Sequence, residues 1–109
     1  MAAYPAQRMQ TNAAWSAQFT FVGVDITGWT MAGRAKSTKN TSKYVDLSIT
    51  DGQIVVDDAS AGTFTIWLSP AECETLGAGQ IVFEVLREDP EPVRPVLRFT
   101  VQNHEGIAT

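Results

Sequence analysis

The stretch TFTIWLSPAECETLGAGQIVFEV, residues 63–85, carries a local signal at its start, its middle and its end. Thr63, Thr65 and Trp67 alternate with Phe64, Ile66 and Leu68, the period-two pattern of a strand with one face buried. Ser69 then stands where a helix N-cap belongs, with Pro70 at the first helical position and Glu72 three residues after the cap. The hydroxyl and the carboxylate can thus each satisfy an otherwise orphan backbone N–H. Leu68, just before the cap, is placed to pack on Cys73 as a hydrophobic staple. The helix is predicted over residues 70–76, because Gly77 and Gly79 then supply positions that tolerate positive φ. Residues 80–87 return as a second apolar run, so the unit reads strand, short helix, strand.

Outward from this unit the same period recurs. Residues 15–22 set Trp15, Ala17, Phe19 and Phe21 against Ser16, Gln18, Thr20 and Val22, a strand with a strongly aromatic face. A turn region follows, and residues 29–36 place Trp29 and Met31 opposite Thr30, Arg34 and Lys36. Residues 44–50 alternate Val45, Leu47 and Ile49 with polar partners. Asp51-Gly52 then predicts a tight type I′ hairpin that folds residues 53–56 back on that strand. The segment from Glu88 to Pro92 reads as a stiff acidic connection, and residues 94–102 present Leu97, Phe99 and Val101 on one face of a last strand.

Seven short strands split by turn signals, with one helix, predict an all-β fold: an antiparallel immunoglobulin-like β-sandwich of about seven strands. The Cys…Trp…Cys pattern of antibody domains is missing. Residues 1–13 are small, polar and aperiodic and read as a flexible N-terminal arm. Residues 14–103 form the single sandwich domain, and 104–109 a C-terminal tail.

Composition narrows the function classes. The chain of 109 residues, 44% hydrophobic and 18% charged, suits one folded core rather than disorder. Twelve acidic against eight basic residues leave a net charge of -4, which opposes adhesion to phosphate backbones, so no nucleic-acid partner is expected. No apolar run approaches the roughly 18 residues of a membrane helix, and the N-terminus lacks the apolar core of a signal peptide, so no membrane partner is expected either. The single Cys73 precludes an internal disulfide and a cysteine zinc cluster.

Candidate chemistry is sparse. His104 is the only histidine and sits near the C-terminus beside Glu105, far from any sequence-adjacent nucleophile. Cys73, at the staple position, reads as a small buried hydrophobe rather than a reactive thiol. Asp51, Asp57 and Asp58 lack the spacing of a calcium loop and read as turn formers. Gly77-Ala78-Gly79 follows a helix instead of preceding one, so it is a helix stop and not a phosphate cradle. Asn40-Thr41-Ser42 matches a glycosylation triplet without a signal peptide to use it. Arg34, Lys36, Lys39 and Lys43 gather positive charge that could guide an acidic partner surface, although a solvated loop is the simpler reading. Of Trp15, Trp29 and Trp67, at least one is expected at the surface as a contact anchor. The residues therefore give no catalytic, cofactor-binding or metal site and no small-molecule substrate.

Three segments, VDITGWTMAGRAK (24–36), DGQIVVDDASAGTFTIWLSPAECETL (51–76) and GAGQIVFEVLRED (77–89), occur in an order that resembles a group of small phage and prophage proteins. These are encoded among tail and baseplate genes and adopt immunoglobulin-like sandwiches. In that group a D-x-T-G-aromatic step opens the second strand. An L-S-x-x-E-x-x-x-L helix follows, matched by Leu68, Ser69, Glu72 and Leu76, and leads through glycine into a Y-D-aliphatic strand, which here reads Phe83-Glu84-Val85. The resemblance implies a non-enzymatic structural protein of the virion, made in the bacterial host cytoplasm, acting in tail or baseplate assembly. It implies work by contacts with other virion proteins; an exposed-edge sandwich with a flexible arm adds the expectation of contacts with copies of itself, made through residues 1–13 and the His104 tail. The alternatives are a receptor- or carbohydrate-binding attachment module and a capsid decoration protein. A hydrolase is the reading least compatible with a lone terminal histidine.

Overall fold

The computed structural model describes residues 2–5, 9–89 and 94–105. Eight strands and one helix follow in order: β1 (Ala2–Pro5), β2 (Trp15–Thr20), β3 (Thr30–Ser37), β4 (Tyr44–Ser48), β5 (Ile54–Asp58), β6 (Thr63–Leu68), α1 (Pro70–Leu76), β7 (Gly79–Asp89) and β8 (Arg94–Asn103). They form two antiparallel four-stranded sheets, ordered β1-β2-β6-β5 and β4-β3-β7-β8. Two inner faces pack around one apolar core, in the strand order of an immunoglobulin-like sandwich with an extra strand, β4, beside β3.

The period-two pattern explains which side chains go inward. On β2, Trp15, Ala17 and Phe19 are buried while Gln18 is exposed; on β6, Phe64, Ile66 and Leu68 are buried and Trp67 faces out. Where antibody domains join the second and sixth strands of the seven-strand frame by a disulfide, aromatic rings meet instead. Trp15 of β2 lies 5.0 Å from Phe83 of β7, and Phe83 stacks on Phe99 of β8 at 4.8 Å. Phe19 reaches Phe99 at 4.9 Å and Phe64 at 5.6 Å, so one ring cluster spans both sheets.

The helix forms for the reasons its sequence gives. Ser69 accepts from the Glu72 N–H at 3.1 Å, and the Glu72 carboxylate accepts from the Ser69 N–H at 2.8 Å. Leu68 and Cys73, at the staple positions, are both buried. The C-cap Gly77 has φ 74° and bonds back to Cys73 O and Glu74 O.

Three expectations are corrected. Asp51-Gly52 does not close a hairpin: β4 pairs with β3, and β5 pairs with β6 in the other sheet. Only Gly52 has positive φ, and its N–H bonds to Ile49 O at 3.2 Å, so Thr50 and Asp51 are the central residues of a turn that carries the chain between sheets. The Asp-Gly pair fixes a change of direction but not the sheet that the next strand joins. Second, residues 1–13 are not only an arm. β1 pairs along β2 from Ala2↔Thr20 to Pro5↔Ala17, which makes the eighth strand, and Met9 is buried in the core. Four residues with a proline show no alternation, and a lone Met carries no period, so neither was legible. Third, His104 does not begin a free tail. Its N–H donates to Met9 O at 3.0 Å, its carbonyl accepts from Thr11 N–H at 2.9 Å, and Gln10 bridges it in parallel. The N-terminal segment thus closes one sheet's edge and then crosses to the end of the other. Of the acidic connection, Glu88 and Asp89 belong to β7, while residues 90–92 lie outside those described.

Candidate interaction surface

The outer face of the β4-β3-β7-β8 sheet carries an ordered set of charges. The ladder registers place Asp46 beside Arg34, Arg34 beside Glu84 and Glu84 beside Arg98, one residue from each strand. The result is a row of alternating charge running straight across four strands. Arg34 Nε donates to Asp46 Oδ1 at 2.9 Å, and its guanidinium lies 4.0 Å from the centre of the Tyr44 ring. These groups are well exposed, so the pair holds the two side chains in place more than it stabilises the fold.

A shallow groove of about 600 Å³ runs over this face, bounded by Val82 and Leu86 and floored by Ala32 and Gly33. On the opposite, core-facing side of β3, where Gly33 pairs with Leu47 and Val85, an added Cβ would collide with the Glu84 carbonyl oxygen, a contact only glycine avoids.

A second groove lies at the end of the helix, between Lys39 and Lys43 of the loop after β3 and Gly77 and Glu105. Here Asn103 is fully buried, and its Nδ2 donates to Gly77 O at 2.7 Å and Cys73 O at 3.1 Å. It fastens the helix C-terminus to β8. At the opposite end, Val22 and Val24 are exposed beside Phe21 and Trp29. Arg87 lies over the Trp29 ring at 4.9 Å. On the outer face of the other sheet, Trp67 is 48% exposed and Val55 40%. Near them Asp57 accepts from Thr65 Oγ1 at 2.5 Å and Gln18 Nε2 at 3.3 Å.

The single residues fall as follows. Cys73 is buried, and desolvation, reinforced by the neighbouring Glu72 charge, pushes its thiol pKa up to about 11. Asp58 accepts from Ser60 and Ala61 within its turn, and Asp51 donates its N–H to Ser48. Asn40 binds Ser42 through its side chain in the same way. The four cations do not form one patch: Arg34 and Lys36 stand on the outer face of β3, whereas Lys39 and Lys43 turn toward the helix end. Trp15 is core, Trp29 is partly covered and Trp67 reaches the surface. Among the described residues no three of His, Cys, Asp and Glu gather as metal ligands. The charge row was present in the sequence as Arg34, Asp46, Glu84 and Arg98, but only strand register aligns residues so far apart. Asn103 gave no signal, because a polar residue ending a strand ordinarily faces water.

No protein-family model matches the chain, and no curated protein matches it. No helix among the described residues is long and apolar enough to cross a membrane.

Proposed function

We propose that this protein is a non-enzymatic structural module of a phage virion, working in tail or baseplate assembly through contacts with other virion proteins and copies of itself. The observation that supports contact by assembly is β8. It is a ten-residue strand at a sheet edge, paired on one side with β7 and met on the other, among the described residues, only beyond its end by residues 9–11. Proline and bulges blunt strand edges, and here both lie at one end of β8, at Pro95 and the register shift beside it, leaving residues 97–103 in unbroken pairing with β7; an open edge is a template for strand addition. The assignment to a virion rests on the ordered motifs from Val24 to Asp89. Hydrogen exchange tests the contact: β8 amides exchange faster than β7 amides in the isolated chain and become protected in assembled particles. Unchanged β8 exchange on assembly would remove the support. Labelled antibody against the chain, imaged on purified particles, tests the location.

A second reading, an attachment module, is favoured by one feature, the half-exposed Trp67, which shares its sheet face with exposed Val55 and with polar Gln18 and Asp57, a surface on which a sugar ring can stack. Glycan-array binding that is lost in Trp67→Ala would establish it.

A further inference from the structure

We infer that the outer face of the β4-β3-β7-β8 sheet is a self-recognition surface that pairs with the same face of a second copy about a two-fold axis parallel to the strands. The inference rests on the assembly reading and names the surface and the partner.

The charge row is the first argument. Across the strands it runs Asp46, Arg34, Glu84, Arg98, that is minus, plus, minus, plus. Two copies laid face to face about an axis in the interface plane, parallel to the strands and between β3 and β7, reverse the strand order of one against the other. Asp46 then faces the partner copy's β8 position, which is an arginine, and Arg34 faces the partner copy's β7 position, which is a glutamate. All four positions meet the opposite sign. The other in-plane axis, perpendicular to the strands, sets each strand on its own copy, so that when it runs along the row every charge meets its own sign. Like charges in juxtaposition repel, so the row favours the first orientation over the second. Strands lie about 4.8 Å apart. The outermost charges are thus near enough to the axis for long arginine side chains to follow the twist between packed sheets.

Shape gives the second argument. The next register pair along the strands is Ala32 beside Leu86. The same two-fold sets the Leu86 position of one copy over the Ala32 position of the other. The groove runs over this pair and is open. A large apolar residue thus meets a small one twice per dimer, around the polar row. Charge and shape choose the same axis, though neither was used to place the other.

The test is sedimentation equilibrium of the full chain and of three variants. The wild type is expected to form a dimer that weakens with salt. Arg98→Glu puts like charges at two symmetry-related contacts and raises the dissociation constant about tenfold, the scale of two exposed pairs turned from attraction to repulsion. Ala32→Arg fills the depression and abolishes the dimer. The fully reversed row, Asp46→Arg with Arg34→Glu, Glu84→Arg and Arg98→Glu, keeps alternation within the chain, so it dimerises with itself but not with the wild type. Circular dichroism and thermal melting establish that each variant is folded. A wild type that stays monomeric to millimolar concentration, a dimer indifferent to Arg98→Glu, or free mixing of wild-type and reversed chains overturns the inference. Any of these, accompanied by β8 protection on assembly, leaves the assembly reading standing; loss of that protection, with the dimer intact, has the opposite meaning.

Discussion

Asn103 shows how a single side chain joins two elements that no periodicity connects. Its amide satisfies Gly77 O, one of the carbonyls that a short helix leaves without a partner, while its own Oδ1 stays buried and unpartnered. In Asn103→Ala the Gly77 carbonyl loses this bond in a part-buried position, and a typical intramolecular hydrogen bond is worth about 0.5–1.5 kcal/mol. The expected result is a lower urea midpoint with unchanged slope. Asn103→Asp is expected to lose at least as much, since a carboxylate faces carbonyl oxygens. Cys73 gives a prediction in pH. Its folded thiol pKa, about 11, lies above the ordinary value of 9.0, because burial and the Glu72 charge disfavour the thiolate. The unfolded chain therefore ionises first. The contribution to stability is complete below pH 9 and is lost as pH rises toward 11, by an amount on the order of 2 kcal/mol. In thermal melts across that window the wild type should fall more steeply with pH than Cys73→Ala, and equal slopes would show that this thiol is not the cause. A thiol reagent should label the native protein slowly and the unfolded protein at once.

At the scale of elements, the strands whose apolar residues keep strict period two were legible, as was α1, whose cap, proline and terminal glycine all act within a few residues. What was not legible depends on partners distant in sequence. Ile26 sits in a turn region yet is buried, held by its N–H bond to Ala59 O. The pairing of β5 with β6 instead of β4 is decided by which sheet buries Ile54, and no turn residue encodes that. Two substitutions separate these kinds of information. Ser69→Ala removes the local cap and should cost about 1 kcal/mol. Gly33→Ala leaves every local propensity intact or improved, but its Cβ would collide with backbone at Glu84, so β3 and β7 must move apart. Such overpacking costs about 1–3 kcal/mol or more. Chemical denaturation should therefore rank Gly33→Ala as the more harmful, the reverse of the order that strand propensity gives.

For the molecule as a whole, the N-terminal segment decides whether the sandwich is complete within one chain. Residues 2–5 pair with β2 in one sheet, Met9 enters the core, and residues 9–11 bond to His104 at the end of the other, so one segment bridges both sheets at the same end. An arm serving only neighbouring copies could be removed without harm to the isolated chain. The observed contacts predict otherwise. Deleting residues 1–13 removes a buried methionine, whose truncation alone costs about 2–5 kcal/mol in a core. It also removes the backbone partners of His104 and reopens the edge of β2. For a domain of this size, each kcal/mol lowers the melting temperature by roughly 3–5 °C, so the truncated chain should melt at least several degrees lower. Deleting only residues 1–5 spares Met9 and the His104 bonds, and should lower the melting temperature much less while speeding exchange of β2 amides. If both truncations melt with the full chain, the segment does not complete the core. If both fall together, the β1 pairing supplies the stability and Met9 does not. The ordering of the two melts therefore tells an integral strand and plug from an arm kept for assembly.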